Sequence, residues 1–471
     1  MDEQNAVKSR RNRIDFTSGS PWQKIVLFAL PLLLSNVLQQ MYTTVAGIIV
    51  GRGVSHIGLA AVGLSGPYLR VLTSLFMGVA MGGNVLIAQY FGAKDKVGLR
   101  RTVHTAIVMS IGAGFVLSVI GIASTPLILT MTNTPEEVYP MAATYMRILF
   151  SGIVFQMTYN MLASFLRGMG DSRTQLYILI VTSIVNAGLC WLLVIGLGLS
   201  VTGAGIANVV SQLLSVVIIF FCLQRNDWTR ISLKELKMHG SYAKELLRIG
   251  LPTAASQVAM SLSGMIVMGF ITSYGTESIA GYTVGSNLEM YVAMPVQSLN
   301  MSVTPFAAQN VGAGRMDRVD QASKQVVWIN SGINLFLSAI VLVFSGFLLG
   351  LFTDNAGTIA AGTIMLWIIV PSHILSAINQ PLSGVIRGSG DPVTPMVNSL
   401  LMFVIIRIPI IMLLDRLFKT IEIVYISQTI ANLIGLAQIL IVYRRGKWRK
   451  KVLERIEVMF PSDKMKEETC R

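Results

Sequence analysis

Four ionisable side chains stand inside long apolar stretches of the sequence, where charge is costly. Glu289 is the only one of the 23 acidic residues that lies well within such a stretch, and the basic ones are Arg70, Arg147 and Arg407. Within a bilayer, removal from water favours the neutral form of a carboxyl group, and a nearby positive charge favours the carboxylate. We therefore expect Glu289 to exchange protons or cations. The alternative is a fixed ion pair with a buried arginine.

The apolar stretches themselves predict helices that cross a membrane. Of the 471 residues, 53% are hydrophobic and 13% are charged, and the mean hydropathy is +0.64. A bilayer core needs about 20 apolar residues per helix, and these stretches are long and do not alternate as β-strands would. We predict an all-α polytopic membrane protein with twelve transmembrane helices, near residues 24–50, 58–91, 102–130, 138–166, 174–197, 202–224, 247–272, 278–310, 325–352, 357–386, 394–414 and 421–443.

Two sequence motifs occur twice at one spacing. RGMGDSRT at Arg167–Thr174 returns as RGSGDPVT at Arg387–Thr394, 220 residues later (387 − 167), and the Ala-Gln motif of residues 88–93 returns at 308–313 with the same offset (308 − 88). This pattern indicates an internal repeat. Because six helices per copy is an even number, the two six-helix lobes should be related by a pseudo-two-fold axis along the membrane normal.

The basic residues predict the orientation of the helices. With the predicted loops assigned alternately to the two sides, 31 of the 37 lysines and arginines fall on the side of both termini and three on the other. Such an excess marks the cytoplasmic side, so the charge needs no nucleic-acid partner. We expect no cleaved signal peptide. The predicted parts are a cytoplasmic N-terminal tail (1–23), an N-lobe (24–224), a cytoplasmic inter-lobe loop (225–246), a C-lobe (247–443) and a basic cytoplasmic tail (444–471).

Further candidates follow from position. Subtracting the repeat offset from 289 gives 69, so Arg70 and Glu289 occupy nearly equivalent places, and a pair between them is plausible. Arg407, just before Pro409, is expected to be structural or to bind an anionic group. A lone histidine in a span, His373, can shuttle protons near neutral pH but is more often a packing residue.

Polar residues on the first predicted span form another candidate set. Gln39 and Tyr42 share one helix face with Ala46. The polar side chains of Gln39 and Tyr42 either line a cavity or form hydrogen bonds between helices. Pro31 and Pro252 hold matching places in spans 1 and 7 and are candidate hinges, because proline allows a helix to bend. The Gly-Asp turns of the repeated motif are expected to be tight loops whose arginine and aspartate staple neighbouring helix ends.

Taken together and in order, several short motifs resemble the multidrug and toxic compound extrusion (MATE) family, bacterial branch, over nearly all of residues 22–443. The motifs are Ala29-Leu30-Pro31, Ile48-Ile49-Val50-Gly51-Arg52, Leu59-Ala60-Ala61-Val62-Gly63, Ala88-Gln89-Tyr90-Phe91-Gly92-Ala93, Arg167-Gly168-Met169-Gly170-Asp171, Gln309-Asn310-Val311-Gly312-Ala313 and Arg387-Gly388-Ser389-Gly390-Asp391.

The resemblance implies two six-helix lobes that export amphipathic, often cationic compounds by proton or sodium antiport, with a carboxylate-centred ion site in the N-lobe. This chain departs from that site. Ala46 and Cys190 stand where many relatives carry aspartates, whereas Asn186 and Asn208 match family positions and are candidate cavity residues. Coupling through the N-lobe carboxylates therefore does not carry over, and Glu289 becomes the leading candidate.

The function expected from these observations is a monomeric secondary active exporter of amphipathic cations in the cytoplasmic membrane of a bacterium. A flippase for a lipid-linked or anionic precursor is the alternative, because the three arginines could hold a phosphate. We expect no enzyme, because no HExxH, nucleophile or phosphate-loop motif occurs. Cys190, Cys222 and Cys470 lack metal-ligand spacing, so we expect no metal and no cofactor.

Overall fold

The computed structural model describes residues 13–459 except 55, 133 and 233–234. Fifteen α-helices account for most of this part of the chain: α1 (Pro21–Gly53), α2 (His56–Gly92), α3 (Lys96–Met131), α4 (Tyr139–Gly168), α5 (Arg173–Trp191), α6 (Ser200–Gln224), α7 (Gly240–Thr272), α8 (Thr276–Gly312), α9 (Met316–Val343), α10 (Ser345–Gly350), α11 (Ala356–Gly388), α12 (Val393–Leu400), α13 (Arg407–Phe418), α14 (Glu422–Arg445) and α15 (Lys447–Met459). No β-strand occurs in the described ranges, which confirms the predicted all-α class.

Two of the helices run into π-helical turns. α5 continues into Leu192–Gly196, and Leu401–Ile406 joins α12 to α13, so the segments from 173 to 196 and from 393 to 418 are each one long span. A π-turn widens the helix by one residue and is frequent at functional sites. Here the turns fall beside two candidates from the sequence, Cys190 and Arg407.

Within the described residues, eleven helical segments are long and apolar enough to cross a membrane. The twelfth predicted span corresponds to α8, which is 37 residues long but carries polar and charged side chains along its length. These include Asn287, Glu289, Gln297 and Asn300. Polar groups on a spanning helix must be satisfied by the protein, so α8 is the helix where buried polar contacts are expected.

The described residues form two compact units, the first comprising residues 13–14 and 30–248 and the second comprising residues 15–29 and 249–459. In the first unit, α4 packs against α2, α3 and α6, and α5 packs against α6. Small residues allow the close approach. A Cβ atom added at Gly168 would stand 2.9 Å from the carbonyl oxygen of Asn84 in α2, so this glycine lets the end of α4 touch the α2 backbone.

The second unit repeats that plan around α11, which packs against α8, α9 and α14. Gly388 holds the place of Gly168, and a Cβ atom there would collide with the carbonyl oxygen of Thr304 in α8. The N-terminal segment also belongs to this unit. Phe16 is fully buried against the rings of Phe28 and Phe306.

The repeated Gly-Asp motif builds the same turn in both units. Gly170 and Gly390 have φ angles of 82° and 102°, in the region that only glycine adopts readily. Asp171 accepts hydrogen bonds from the backbone N–H of Thr174, at 2.9 Å, and from its hydroxyl, at 2.6 Å. Asp391 makes the equivalent contacts with Thr394. The predicted tight loops are therefore present, and their aspartates bond to the first turn of the next helix.

The arginine and the aspartate of the first copy of this motif join the end of α4 to the start of α5, as expected, but they do so through residues of α5 rather than by pairing with each other. Arg167 donates from Nη1 to Oε1 of Gln175 at 3.0 Å, and the oxygens of Asp171 accept from Thr174. The Asp171 carboxylate thus lies at the N-terminus of the next helix, where the helix dipole favours negative charge.

Candidate functional site

The first unit brings together two residues that the sequence singled out on different spans. Nδ2 of Asn208 in α6 donates to the hydroxyl oxygen of Tyr42 in α1 at 3.0 Å. Tyr145 and Cys190 are the electrostatic neighbours of this tyrosine, and Cys190 is only 1% exposed. The result is a cluster of hydroxyl, amide and thiol groups, which can donate and accept hydrogen bonds but carry no charge.

Two other candidates of the first unit lie one turn away from members of this cluster. Asn186 is buried in α5, one turn before Cys190, and Gln39 is exposed on α1, one turn before Tyr42. The side chains of Ala46 and Arg70 lie outside the described part of the structure, so the proposed pair of Arg70 with Glu289 stays a prediction. Pro31 and Pro252 lie inside α1 and α7, and their role as hinges stays a prediction too.

The second unit contains a close contact between two ionisable side chains inside the predicted spans. Nε2 of His373 in α11 lies 3.0 Å from Oε1 of Glu289 in α8, and the two side chains are 14% and 21% exposed. The contact has the distance of an ion pair but not the angle of a hydrogen bond, since Nε2 makes no hydrogen bond in the part of the chain that is described. Both groups can gain or lose a proton, so their charge states are linked.

Arg407 is the third charged residue of this region. It begins α13, directly after the second π-turn, and is 8% exposed. Its Nη2 donates to Oε1 of Gln428 at 2.8 Å, and among the described residues its Nε has no partner. Tyr282 and Glu289 are its electrostatic neighbours. We call Glu289, His373 and Arg407 the acid–base cluster.

Two aromatic side chains flank the cluster. The rings of Tyr282 and Tyr425 are stacked, with centroids 6.4 Å apart and an interplanar angle of 4°. The hydroxyl of Tyr425 is buried and, like Nε of Arg407, has no hydrogen-bond partner among the described residues. Buried polar atoms without a protein partner are usually satisfied by water or by a bound molecule. The surroundings of the cluster are therefore polar enough to hold either.

The charges of the cluster balance in one state only. With a neutral histidine, the charges of Glu289 and Arg407 sum to zero. One further positive charge, on the imidazole of His373 or on a bound molecule, gives the cluster a net charge of +1. Charge in a medium of low polarity is costly when it is unbalanced. The cluster can therefore accept one additional positive charge far more easily than two.

The sequence named Glu289 and Arg407 as site candidates and left His373 with two interpretations, a proton shuttle or a packing residue. The structure places His373 3.0 Å from Glu289, and the functional role of all three residues stays a prediction. A signal was present, since an ionisable group in a bilayer normally pairs with another one. The predicted spans of the second half contain Glu289, His373 and Arg407. A contact between Glu289 and His373 could therefore have been expected as well as one between Glu289 and Arg407. No group of three histidine, cysteine or acidic side chains suited to a metal occurs in the described residues.

Comparison with known proteins agrees with this arrangement of two units. The profile of the MatE family matches residues 31–192 and again 252–413. The chain belongs to the MatE family. The two matched stretches are offset by 221 residues at their starts (252 − 31) and at their ends (413 − 192), which is the internal repeat seen in the sequence.

Relatives of this MatE protein cover nearly its whole length. It is 33% identical over 447 residues to the probable multidrug resistance protein YoeA of Bacillus subtilis, a match that covers 93% of this chain and 96% of the relative. A crystal structure of a MATE protein in the bent conformation superposes with a TM-score of 0.87 at 22% identity, covering 93% of this chain and 99% of that one.

A second solved structure has the same fold with a different site. A transporter of the MOP superfamily from Pyrococcus furiosus, described as having a binding pocket of reverse polarity that suggests a different function, matches with a TM-score of 0.84 at 21% identity, over 93% of this chain and 97% of its own. The fold is thus that of MATE transporters, while the chemistry of the site must be argued from this chain's own residues.

Proposed function

We propose that the protein is a multidrug efflux transporter that exports amphipathic, cationic small molecules by alternating access and draws its energy from a proton gradient. The family and the full-length relative, which is named a probable multidrug resistance protein, support the general activity. The acid–base cluster supports the coupling. The observation that carries the proposal is the 3.0 Å contact of Glu289 with His373 between two spanning helices.

The charge balance of the cluster supplies the coupling mechanism. A proton on His373 and a cationic substrate near Glu289 would each add one positive charge to the same site, and the cluster accommodates one such charge. Binding of the substrate cation therefore expels the proton, and return of the proton expels the substrate. In antiport, the two occupy the site in alternate access states.

The same geometry favours protons over sodium as the coupling ion. Sodium needs several oxygen ligands, whereas the described neighbours of Glu289 are the imidazole of His373, the guanidinium of Arg407 and a single hydroxyl, that of Tyr282. The N-terminal unit offers no substitute, because Ala46 and Cys190 stand at its usual carboxylate positions. The test below must distinguish proton coupling from sodium coupling.

The proposed orientation rests on the distribution of basic residues. The 31 to 3 asymmetry of lysines and arginines supports cytoplasmic termini in the plasma membrane of a bacterium. The relatives are transporters, so we propose no catalytic activity, no resident cofactor and no nucleic-acid partner. The protein is proposed to act as a monomer in the lipid bilayer, with Pro31 and Pro252 as the points where spans 1 and 7 bend.

The test is uptake of a fluorescent lipophilic cation into proteoliposomes. Uptake driven by an imposed pH gradient, unaffected by a sodium gradient and abolished in Glu289→Gln and His373→Gln, supports the proposal. Glu245→Gln is a matched control, because Glu245 pairs with Arg248 at the start of α7 and should leave uptake unchanged. Uptake driven by sodium, or pH-driven uptake that survives Glu289→Gln, would refute coupling through the cluster.

A second function is favoured by one specific observation. Arg407 is buried, and its Nε has no hydrogen-bond partner in the part of the chain that the structure describes; an arginine of this kind can bind a carboxylate or a phosphate. A flippase for a lipid-linked or anionic precursor would use it in this way. Movement of a fluorescent anionic lipid by the wild type, lost in Arg407→Met, together with no movement of the lipophilic cation, would select this function.

A further inference from the structure

Helix α15 lies at the point where the last span leaves the membrane. α14 ends at Arg445, and α15 begins at Lys447, with Gly446 between them at a φ angle of 67°. One residue cannot carry the chain away from the bilayer surface. The sequence of α15, KWRKKVLERIEVM, is too charged to cross the membrane. Because it contacts Asp320 of α9 and Gly390 between α11 and α12, α15 lies across the ends of these helices, beside the end of α14.

One face of α15 is fixed to the second unit. Trp448 and Val452 are 1% and 2% exposed. Arg449 pairs with Asp320 of α9, and its guanidinium lies 5.4 Å from the ring centre of Trp448. Nη1 of Arg455 donates to the carbonyl oxygen of Gly390 at 2.9 Å. These contacts, spread over two turns, fix the rotation of the helix about its own axis.

The opposite face of α15 and the end of α14 carry unneutralised positive charge. Arg444, Arg445, Lys447, Lys450 and Lys451 are all exposed, and in the part of the chain that the structure describes none of them has an ion pair or a side-chain hydrogen bond. We call these five residues the basic collar. The acidic residues Glu454 and Glu457 come only later in α15, so the collar is confined to the part next to the span.

We propose that the basic collar binds the headgroups of anionic phospholipids in the surrounding bilayer. Five cations within eight residues, directly outside a spanning helix, match the charge of phosphatidylglycerol or cardiolipin. Leu453, which is 50% exposed and lies two residues after Lys451, offers an apolar contact for the acyl region. The contacts of the inner face hold the collar in place, so lipid binding needs no ordering of the helix.

The occupant is a lipid rather than a soluble polyanion because of where the collar lies. A nucleic acid or an acidic protein would have to approach past the headgroups, whereas phospholipids surround the end of α14 at high local concentration. The argument is independent of which ion or substrate the transporter moves. It would hold for either function considered above.

The experiment uses the full-length protein in mild detergent and native mass spectrometry. Phosphatidylglycerol is titrated against phosphatidylcholine as the neutral reference, and bound lipids are counted. The variant is the triple substitution Lys447→Gln, Lys450→Gln and Lys451→Gln. The matched control is Lys237→Gln, Lys244→Gln and Lys324→Gln, which removes three exposed lysines elsewhere on the side predicted to be cytoplasmic.

Each lysine near a charged surface strengthens binding about fivefold, so the collar variant should bind phosphatidylglycerol at least about tenfold more weakly than the wild type. The control should bind like the wild type, and phosphatidylcholine binding should not change in either. Equal weakening in the collar and control variants would overturn the proposal, because it would reflect net charge alone. Unchanged phosphatidylglycerol binding in the collar variant would also overturn it. The proposal would also be overturned if the collar variant lost binding of a short RNA but kept its binding of phosphatidylglycerol. That result would assign this face to a soluble polyanion.

Discussion

The contact between Glu289 and His373 can be measured as an interaction free energy by a double-mutant cycle. The variants are Glu289→Gln, His373→Gln and the double substitution, because glutamine keeps a polar side chain of similar reach. Removing one partner of a fully buried pair costs about 3–5 kcal/mol, and an exposed pair contributes about 0–1 kcal/mol. These side chains are 21% and 14% exposed, so we expect a coupling energy of about 1–3 kcal/mol with the histidine charged.

The assay is the free energy of unfolding from sodium dodecyl sulfate titration in a maltoside detergent, measured for all four proteins at pH 6 and at pH 8. Imidazole groups commonly change charge between these values. The ion pair requires a charged imidazole, so the coupling energy should be larger at pH 6 than at pH 8 by about 1 kcal/mol or more. His239→Gln is the control partner for Glu289→Gln. His239 contacts Thr105 and Lys237 instead, so the two effects should add.

Two results would refute this reasoning. A coupling energy at pH 6 below about 0.5 kcal/mol, the usual error of additivity, would mean that the two groups do not interact. A coupling energy of the same size at both pH values would mean that the contact does not depend on the charge of the histidine. In that case His373 would be a packing residue, as the sequence alone had suggested.

Three further predictions concern other parts of the molecule. Arg407→Met should leave lipophilic-cation binding intact but lower the number of protons released per bound cation, because the cluster could then hold the bound cation and the proton on His373 together. Arg407→Lys keeps the positive charge and should behave like the wild type. Equal proton release in all three proteins would contradict this prediction. Asp171→Ala and Asp391→Ala should each lower the free energy of unfolding by about 1 kcal/mol, since each aspartate bonds to the first turn of a helix. Burial raises the pKa of Asp171, so stability is lost as the pH rises through its folded pKa. Asp171→Asn should cost less than Asp171→Ala, because an asparagine oxygen can accept the same two hydrogen bonds from Thr174; an equal cost in thermal unfolding would speak against it. Tyr42→Phe removes the acceptor of Asn208 and should cost about 1 kcal/mol while leaving proton release unchanged, because that cluster carries no charge; a lost proton signal would move the coupling site to the first unit.

The general fold followed from the sequence because its signals are long and repeated. Twenty or more apolar residues in a row leave little choice but a spanning helix, and the motif at Arg167 and Arg387 exposed the repeat. Helix α8 is not among the eleven segments apolar enough to cross a membrane in the described residues, so its assignment as the twelfth span, which the alternation of basic loops requires, stays a prediction.

The candidate site was harder to predict because it depends on which helices touch. Glu289 and Arg407 were found as charges within apolar segments, but the sequence could not show that α11 lies against α8 and brings His373 within 3.0 Å of the glutamate. The partners of the repeated motif's polar side chains were not predictable from residue types either, since Arg167 bonds to Gln175 and Asp171 to Thr174 rather than to each other.

The most direct test of the account is the number of protons released when a cation binds. Tetraphenylphosphonium is added to the purified protein in a weakly buffered detergent solution near pH 7, bound cation is counted by equilibrium dialysis, and released protons are counted by a pH dye. The account predicts release of close to one proton per bound cation in the wild type and none in the double variant of Glu289→Gln with His373→Gln. Binding without proton release in the wild type, or the same release in the double variant, would contradict the claim that the acid–base cluster exchanges a proton for the substrate.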